Sequence, residues 1–428
     1  MKRLLVGGRV IDPSQNLDQN ANVLIEDGKI AAISPDLAAG EGCEVVDVSG
    51  KIVSPGWIDL HVHLREPGRE EDETIASGCR AAVAGGFTAV TSMPNTSPPV
   101  DTQAVVKLIQ GEAEAAGLCR VHVVACVSHD REGKQLAEMG QLHKAGAVAF
   151  SDDGSPVFSD DLMRRALQYS LMFDKPILGH AEVLELTEGG VMHEGMTSML
   201  LGLPGMPAAA EVAMVARDIA LVEATGGRYH LQHVSTAGAV DAIRRAKARG
   251  LNVTAEACPH HFSMTDKELR SFDSNYKMNP PLRGEQDVEA ILAGLADGTI
   301  DAIATDHAPH ASEKKMQELD VAPFGIVGLE TALGLIGTKL VETGVLTWSQ
   351  AIEKVTAAPA RILGLSQGTL KIGSDADITV IDPEKKWEVT QESFKGKSAN
   401  SPFLGWHLTG KSELVFVGGK MISSDGKS

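Results

Sequence analysis

Ile52-Val53-Ser54-Pro55-Gly56-Trp57-Ile58-Asp59-Leu60-His61-Val62-His63 reads as an apolar strand ending in two histidines. Side chains two apart on a strand share a face, so His61 and His63 arrive side by side where the strand stops. Packing seldom asks for this, because each buried imidazole needs its own hydrogen-bond partners. Two neutral imidazoles on one face suit a borderline-soft divalent metal such as zinc. The stretch therefore predicts a strand whose end carries part of a metal site.

Seven more apolar segments of strand length follow, at 88–94, 121–128, 147–152, 176–180, 229–234, 252–258 and 300–306. Helical patterns lie between them, at 74–84, 160–173, 241–249 and 288–296. Alternating β and α segments with continuously apolar strands imply a parallel sheet covered on both faces. Eight such units predict an α/β fold, a (β/α)8 TIM-like barrel. Both ends of the chain read differently, as short strands separated by turns. Asp27-Gly28, between 22–26 and 29–33, is a hairpin signal, and 377–381 and 414–417 repeat the style. The expected organisation is a barrel over 55–364 and a small β-sandwich domain built from both termini, 1–54 and 365–428.

A chain of 428 residues with 43% hydrophobic and 22% charged residues is long enough for a barrel plus a satellite domain. Its net charge of −18 argues against nucleic acid or an anionic membrane as partner, since both call for a basic footprint. No apolar run is long enough to suggest a membrane span. The 5 cysteines are scattered, without CxxC spacing, and read as reduced core residues of a cytoplasmic protein.

Barrels of this kind place their active sites at the C-terminal ends of the strands. There the sequence sets His61 and His63 with Arg65 beyond, then Met93-Pro94-Asn95, Ser151-Asp152-Asp153-Gly154 and His180-Ala181-Glu182. Gln232-His233, His260-His261 and Asp306-His307 complete the series. Singly, each is a satisfied core histidine or a capping aspartate. Gathered on one rim, four histidines and two aspartates exceed the needs of one tetrahedral zinc. They suit two metals about 3.5–4 Å apart sharing a carboxylate, the arrangement of metal-assisted hydrolysis. Neighbours on a strand face opposite ways, so these residues leave Asp152 and Asp153 open as the shared carboxylate.

The run Pro55–Gly68, including His61-Val62-His63-Leu64-Arg65-Glu66-Pro67-Gly68, resembles the strand-one motif of the cyclic amidohydrolases, most closely the class I dihydroorotases. Thr91–Thr96, Phe150–Gly154, Cys258–His261, Lys277–Arg283 and Thr305–His310 are similar to further motifs of that family. The resemblance implies two Zn²⁺ bridged by hydroxide, with His61, His63 and Asp306 on one metal and His180 and His233 on the other. It implies Asp153 as the bridge. Hydantoinases, allantoinases and dihydropyrimidinases, the alternative activities, resemble a pattern with lysine there. A non-catalytic scaffold relative, the reading from another class, would lack ligands, and none is missing.

The implied reaction interconverts N-carbamoyl-L-aspartate and L-dihydroorotate in pyrimidine biosynthesis, with Asp306 as general acid and base. The implied small-molecule contacts are His63, Arg65, Asn95, Asn279, His310 and the backbone of Phe324 and Gly325. Arg65 suits a carboxylate because its guanidinium fork matches one bidentately. Glu182 reads as a carboxylate fixing the tautomer of His180. The charged stretch 312–319 reads as a solvated helix end, with a closing lid as the second reading. Of His260 and His261, one is expected to line the pocket and the other to pack beneath strand seven, neither with a catalytic role, and His122, His129, His143, His193, His230 and His407 read as structural or surface residues. Aspartate transcarbamoylase is the partner the resemblance suggests, and a homodimer is the default assembly.

Overall fold

Gly56 divides the opening strand in two. Ile52–Pro55 pairs with Lys2–Asp12 and Ile378–Glu388 in one sheet, whereas Trp57–Val62 begins another. The single strand expected over 52–63 is thus corrected. A Cβ at position 56 would lie 2.1 Å from Thr88 Oγ1, so glycine is what lets the chain cross between sheets there. The computed structural model describes residues 2–422.

The barrel strands are Trp57–Val62, Phe87–Ser92, Arg120–Ala125, Ala147–Phe150, Ile177–Gly179, Tyr229–Leu231, Val253–Ala257 and Ala302–Ile303. They lie side by side in that order, all parallel. The His63 amide donates to the His307 carbonyl at 2.8 Å, and a parallel bridge joins Val62 to His307, bringing the last strand back to the first. The chain forms a TIM-like (β/α)8 barrel. Each strand end is short because the polar residues beyond it leave the ladder to form the upper rim. Local signals set the helices: Thr74 accepts from the Ser77 amide to start Ile75–Gly85, and left-handed Gly86 ends it.

The second sheet has eight strands drawn from both ends of the chain. Its order is Lys420–Ile422, His407–Val417, Ile378–Glu388, Ile52–Pro55, Lys2–Asp12, Leu17–Glu26 and Lys29–Ser34, with Cys43–Asp47 also on Lys2–Asp12. Asp27 and Gly28 both have positive φ, 49° and 79°, as a tight two-residue hairpin requires. Leu5, Val23 and Ile30 share one buried core with Ile378, Val380 and Phe416, so neither terminal half buries its apolar face alone. We propose on this pairing the division 1–54, 55–364 and 365–428; residues 423–428 lie outside the described residues. Four cysteines are buried and Cys43 is half-buried, all five as free thiols. Among the described residues no helix is long and apolar enough to cross a membrane.

Candidate active site

The structure brings His61, His63, Asp153, His180, His233 and Asp306 together on the upper rim, all buried. Asp153 lies at the centre. Its Oδ2 is 3.4 Å from His61 Nε2 and 3.5 Å from His63 Nε2, while its Oδ1 is 3.7 Å from His180 Nδ1 and 3.6 Å from His233 Nε2. One carboxylate oxygen thus faces each pair of imidazoles. Asp306 Oδ1 closes the first group, 3.0 Å from His63 Nε2 and 3.4 Å from His61 Nε2. Asp152 points elsewhere: it accepts from the Val127 and Ser128 amides at 2.9 and 3.0 Å and ties down the strand-three loop.

The outer nitrogens of three imidazoles are already committed. His61 Nδ1 meets Glu256 at 2.8 Å, His63 Nδ1 meets the Asn95 carbonyl oxygen at 2.8 Å, and His180 Nε2 meets Glu182 at 2.9 Å. Each outer N–H donates to an oxygen that can only accept, so in a neutral ring the inner nitrogen is a lone pair aimed at Asp153. His61 Nε2 and Asp153 Oδ1 are buried without a hydrogen-bond partner. In their neutral forms the rings of His61, His63 and His180 thus turn lone pairs toward the Asp153 carboxylate. The cluster is compatible with a bound metal ion, and its mixed imidazole and carboxylate donors are of the kind that zinc-type metals take.

The electrostatics express the same demand for positive charge. Burial opposes charge on His61, yet Asp306 and Asp153 raise it well above the usual histidine range. Burial likewise works against His180, but Asp153 and Glu182 carry it up to about 9. Against their own burial, Glu182 beside His180 and Glu256 between His230 and His61 are both drawn down to about 2. Three cleft residues other than glycine have left-handed backbones, Arg65 (φ 63°), His233 (34°) and Asp306 (48°). Such strain at one rim aims side chains that ordinary strand geometry would turn away.

Above the cluster opens a cleft of about 330 Å³. His63, Arg65, Asn95, Asn279, His310 and Phe324 line it. Gly325 does not: its amide donates to the Lys277 carbonyl at 3.0 Å and its own carbonyl accepts from Asn400 at 3.0 Å. Arg65 is 5% exposed and makes no ion pair among the described residues; its Nε donates to the Pro309 carbonyl at 3.1 Å. Burial and neighbouring Arg69 lower it to about 9, which leaves it charged at neutral pH. A buried guanidinium without an ion pair, facing a cleft, has the charge and the donors to suit an anionic ligand. His310 Nε2 donates to the Phe324 carbonyl at 2.8 Å, and burial with Arg65 alongside keeps the ring neutral, at about 2. Asn279 Nδ2 donates to Glu182 at 3.0 Å, which orients its carbonyl oxygen.

Several residues escaped the reading of the sequence. His230 is no isolated structural histidine: its Nε2 lies 3.1 Å from Glu256, the carboxylate that holds His61. A lone Glu inside the apolar segment 252–258 was the available signal. Arg69, held by Asp72 at 2.9 Å, lines the cleft beside His310. The solvated helix end expected over 312–319 is corrected in part, because Lys315 is buried and Lys314 pairs with Asp72 at 2.9 Å. Neither His260 nor His261 lines the cleft; His261 Nε2 donates to the Pro280 carbonyl at 2.9 Å.

Residues 52–422 match the amidohydrolase family. The chain is 53% identical over 425 residues to a dihydroorotase of Pelotomaculum thermopropionicum, with 99% of each chain covered. It is 51% identical over 422 residues to a dihydroorotase of Citrifermentans bemidjiense, again across 99% of each. Among solved structures, the L-hydantoinase (dihydropyrimidinase) of Arthrobacter aurescens has a TM-score of 0.89 at 25% identity, covering 99% of this chain and 96% of that one. The D-hydantoinase (dihydropyrimidinase) of a Thermus species has a TM-score of 0.84 at 27% identity over the same shares. Hydantoinases thus share the fold at about half the identity that dihydroorotases share over the full length. The chain belongs to the amidohydrolase family, in its dihydroorotase branch.

Proposed function

We propose that the chain is a dihydroorotase that interconverts N-carbamoyl-L-aspartate and L-dihydroorotate in pyrimidine biosynthesis, by the machinery just described. One observation carries the choice of substrate: Arg65 is a buried cation with no ion pair among the described residues, set beside a metal-type cluster. An uncharged hydantoin or dihydrouracil ring would leave that charge unpaired, at a cost of several kcal/mol by the usual desolvation penalty of about that size. Dihydroorotate carries a carboxylate that would answer it.

In this reading Arg65 and the Asn95 amide bind the carboxylate, and Asn279 accepts the ring N–H through its carbonyl oxygen. Two Zn²⁺, one held by His61, His63 and Asp306, the other by His180 and His233, with Asp153 shared, would supply a water ionised near neutral pH and polarise the ring carbonyl. Asp306 Oδ takes the proton from the attacking water and delivers it to the ring nitrogen as the C–N bond breaks. The new C–O bond makes the second carboxylate of the open chain, and the reverse sequence closes the ring. His63 takes its orientation from Asn95, so the ligand clamp and the metal cluster share one hydrogen bond. A cytoplasmic homodimer, and association with an aspartate transcarbamoylase, belong to this same proposal.

The test is turnover of L-dihydroorotate by the purified chain beside hydantoin, dihydrouracil and allantoin, before and after chelation and zinc addition. Zinc-dependent opening of dihydroorotate alone is expected. Preference for an uncharged ring would overturn the role given to Arg65.

A further inference from the structure

Lys315 is the one buried side chain of the short helix Ser312–Lys315, at 6% exposure, while Met316 beside it is 83% exposed. Its ammonium turns inward and makes no ion pair among the described residues. Instead it donates to the carbonyls of Pro323 and Gly325, each at 3.0 Å, and more weakly to that of Lys277 at 3.4 Å. Burial, with Lys277 alongside, pushes its pKa down to about 7, so the fold retains a costly group at this point.

Those three carbonyls belong to the two segments that carry the cleft-lining residues Asn279 and Phe324. Pro323 and Gly325 flank Phe324, and Lys277 stands two residues before Asn279. The two segments also meet directly, through the Gly325 amide on the Lys277 carbonyl, and the Lys277 ammonium sits 4.7 Å above the Phe324 ring. Ser274 completes the join by donating to the Lys315 carbonyl. No hydrogen bond links Lys315 to any residue of the metal cluster. Ordinary loop packing would explain a buried lysine stem. It does not explain an ammonium whose partners among the described residues are carbonyls from the two segments that face the cleft.

We propose that Lys315 is a positioning residue: its ammonium sets the spacing between the Asn279 wall and the Phe324 wall, and so the slot for the ring of the substrate. The inference rests on the function proposed above for the identity of that ring. It separates two parts of binding, the anion held by Arg65 and the ring held by the paired walls.

The test is Lys315→Met in the full-length, zinc-loaded chain, compared with wild type. Losing hydrogen bonds from a charged donor predicts a KM for dihydroorotate raised about tenfold, with kcat changed less than about threefold. Orotate, a ring-bearing competitor, weakens by a similar factor, whereas succinate, which has carboxylates and no ring, binds as to wild type. Bound zinc is unchanged. Lys315→Arg, which keeps the charge and the donors, recovers at least part of the KM and is the variant to read if methionine prevents folding. An unchanged KM, or equal weakening of orotate and succinate together with zinc loss, overturns the proposal. Failure of wild type itself on dihydroorotate counts against the proposed activity and not against Lys315.

Discussion

His180 Nδ1 and His233 Nε2 lie 2.9 Å apart, both turned toward Asp153 Oδ1. The outer nitrogen of His180 is committed to Glu182, so in the neutral ring its inner nitrogen is a lone pair. Two imidazole nitrogens and a carboxylate oxygen at this spacing are stable only around a proton or a cation. On the other side of Asp153 the same holds for His61 and His63. The carboxylate is therefore common to both halves, and its loss reaches each of them.

Asp153→Asn keeps the shape and removes the charge. Metal analysis of the purified variant is expected to give at most one zinc per chain, with turnover falling by about 100-fold or more as the proposed two-metal arrangement is lost. Two retained zincs would refute Asp153 as the shared ligand.

Glu256 acts on His61 without facing the cleft. It accepts from His61 Nδ1 at 2.8 Å and meets His230 Nε2 at 3.1 Å. Glu256→Gln offers a donor as readily as an acceptor, so the His61 tautomer is no longer enforced. Zinc affinity, followed by competition with a coloured chelator, is expected to drop about 10–100-fold. Unaltered affinity would make Glu256 a packing residue.

Arg65 is expected to discriminate by charge. Arg65→Met removes hydrogen bonds to an anion worth about 1.5–3 kcal/mol each, so kcat/KM for dihydroorotate falls about 100-fold or more. Dihydrouracil, lacking the carboxylate, loses nothing comparable. Arg65→Lys restores little, because a point charge cannot reproduce the bidentate fork. Equal losses on both rings would place the anion site elsewhere.

Lys354 supplies a pH test remote from the cleft. Burial pushes its pKa down to about 8, and its ammonium donates to the Ile300 carbonyl at 2.6 Å. The unfolded chain, with an ordinary lysine, binds more protons between pH 8 and 10.5, so this group makes stability rise with pH across that window. Lys354→Met is accordingly expected to raise Tm at pH 7 by about 1–3 °C, a gain that shrinks as pH approaches 10. A shift independent of pH would show that the lysine is not held at a lowered pKa.

Much of this molecule was legible along the chain because the signals are local. Continuously apolar runs and helical spacing specify βα units whatever their partners, and an Asp-Gly pair bends a hairpin on its own. The motifs at strand ends carry the ligand types, since each sits within a few residues of its strand. The tertiary structure decided the rest. Gly56 reads as part of one strand until Thr88, 32 positions on in sequence, comes within contact of it. Asp152 and Asp153 are equivalent until the Ser128 loop claims one and the histidines surround the other. His230, Glu256 and Lys315 acquire their roles only from residues far away in sequence, across strands or loops that touch when the barrel closes. Sequence determines which groups each strand and loop carries; which of them face one another depends on closure of the ring, because hydrogen bonds and charges act through space at about 3 Å and not along the chain.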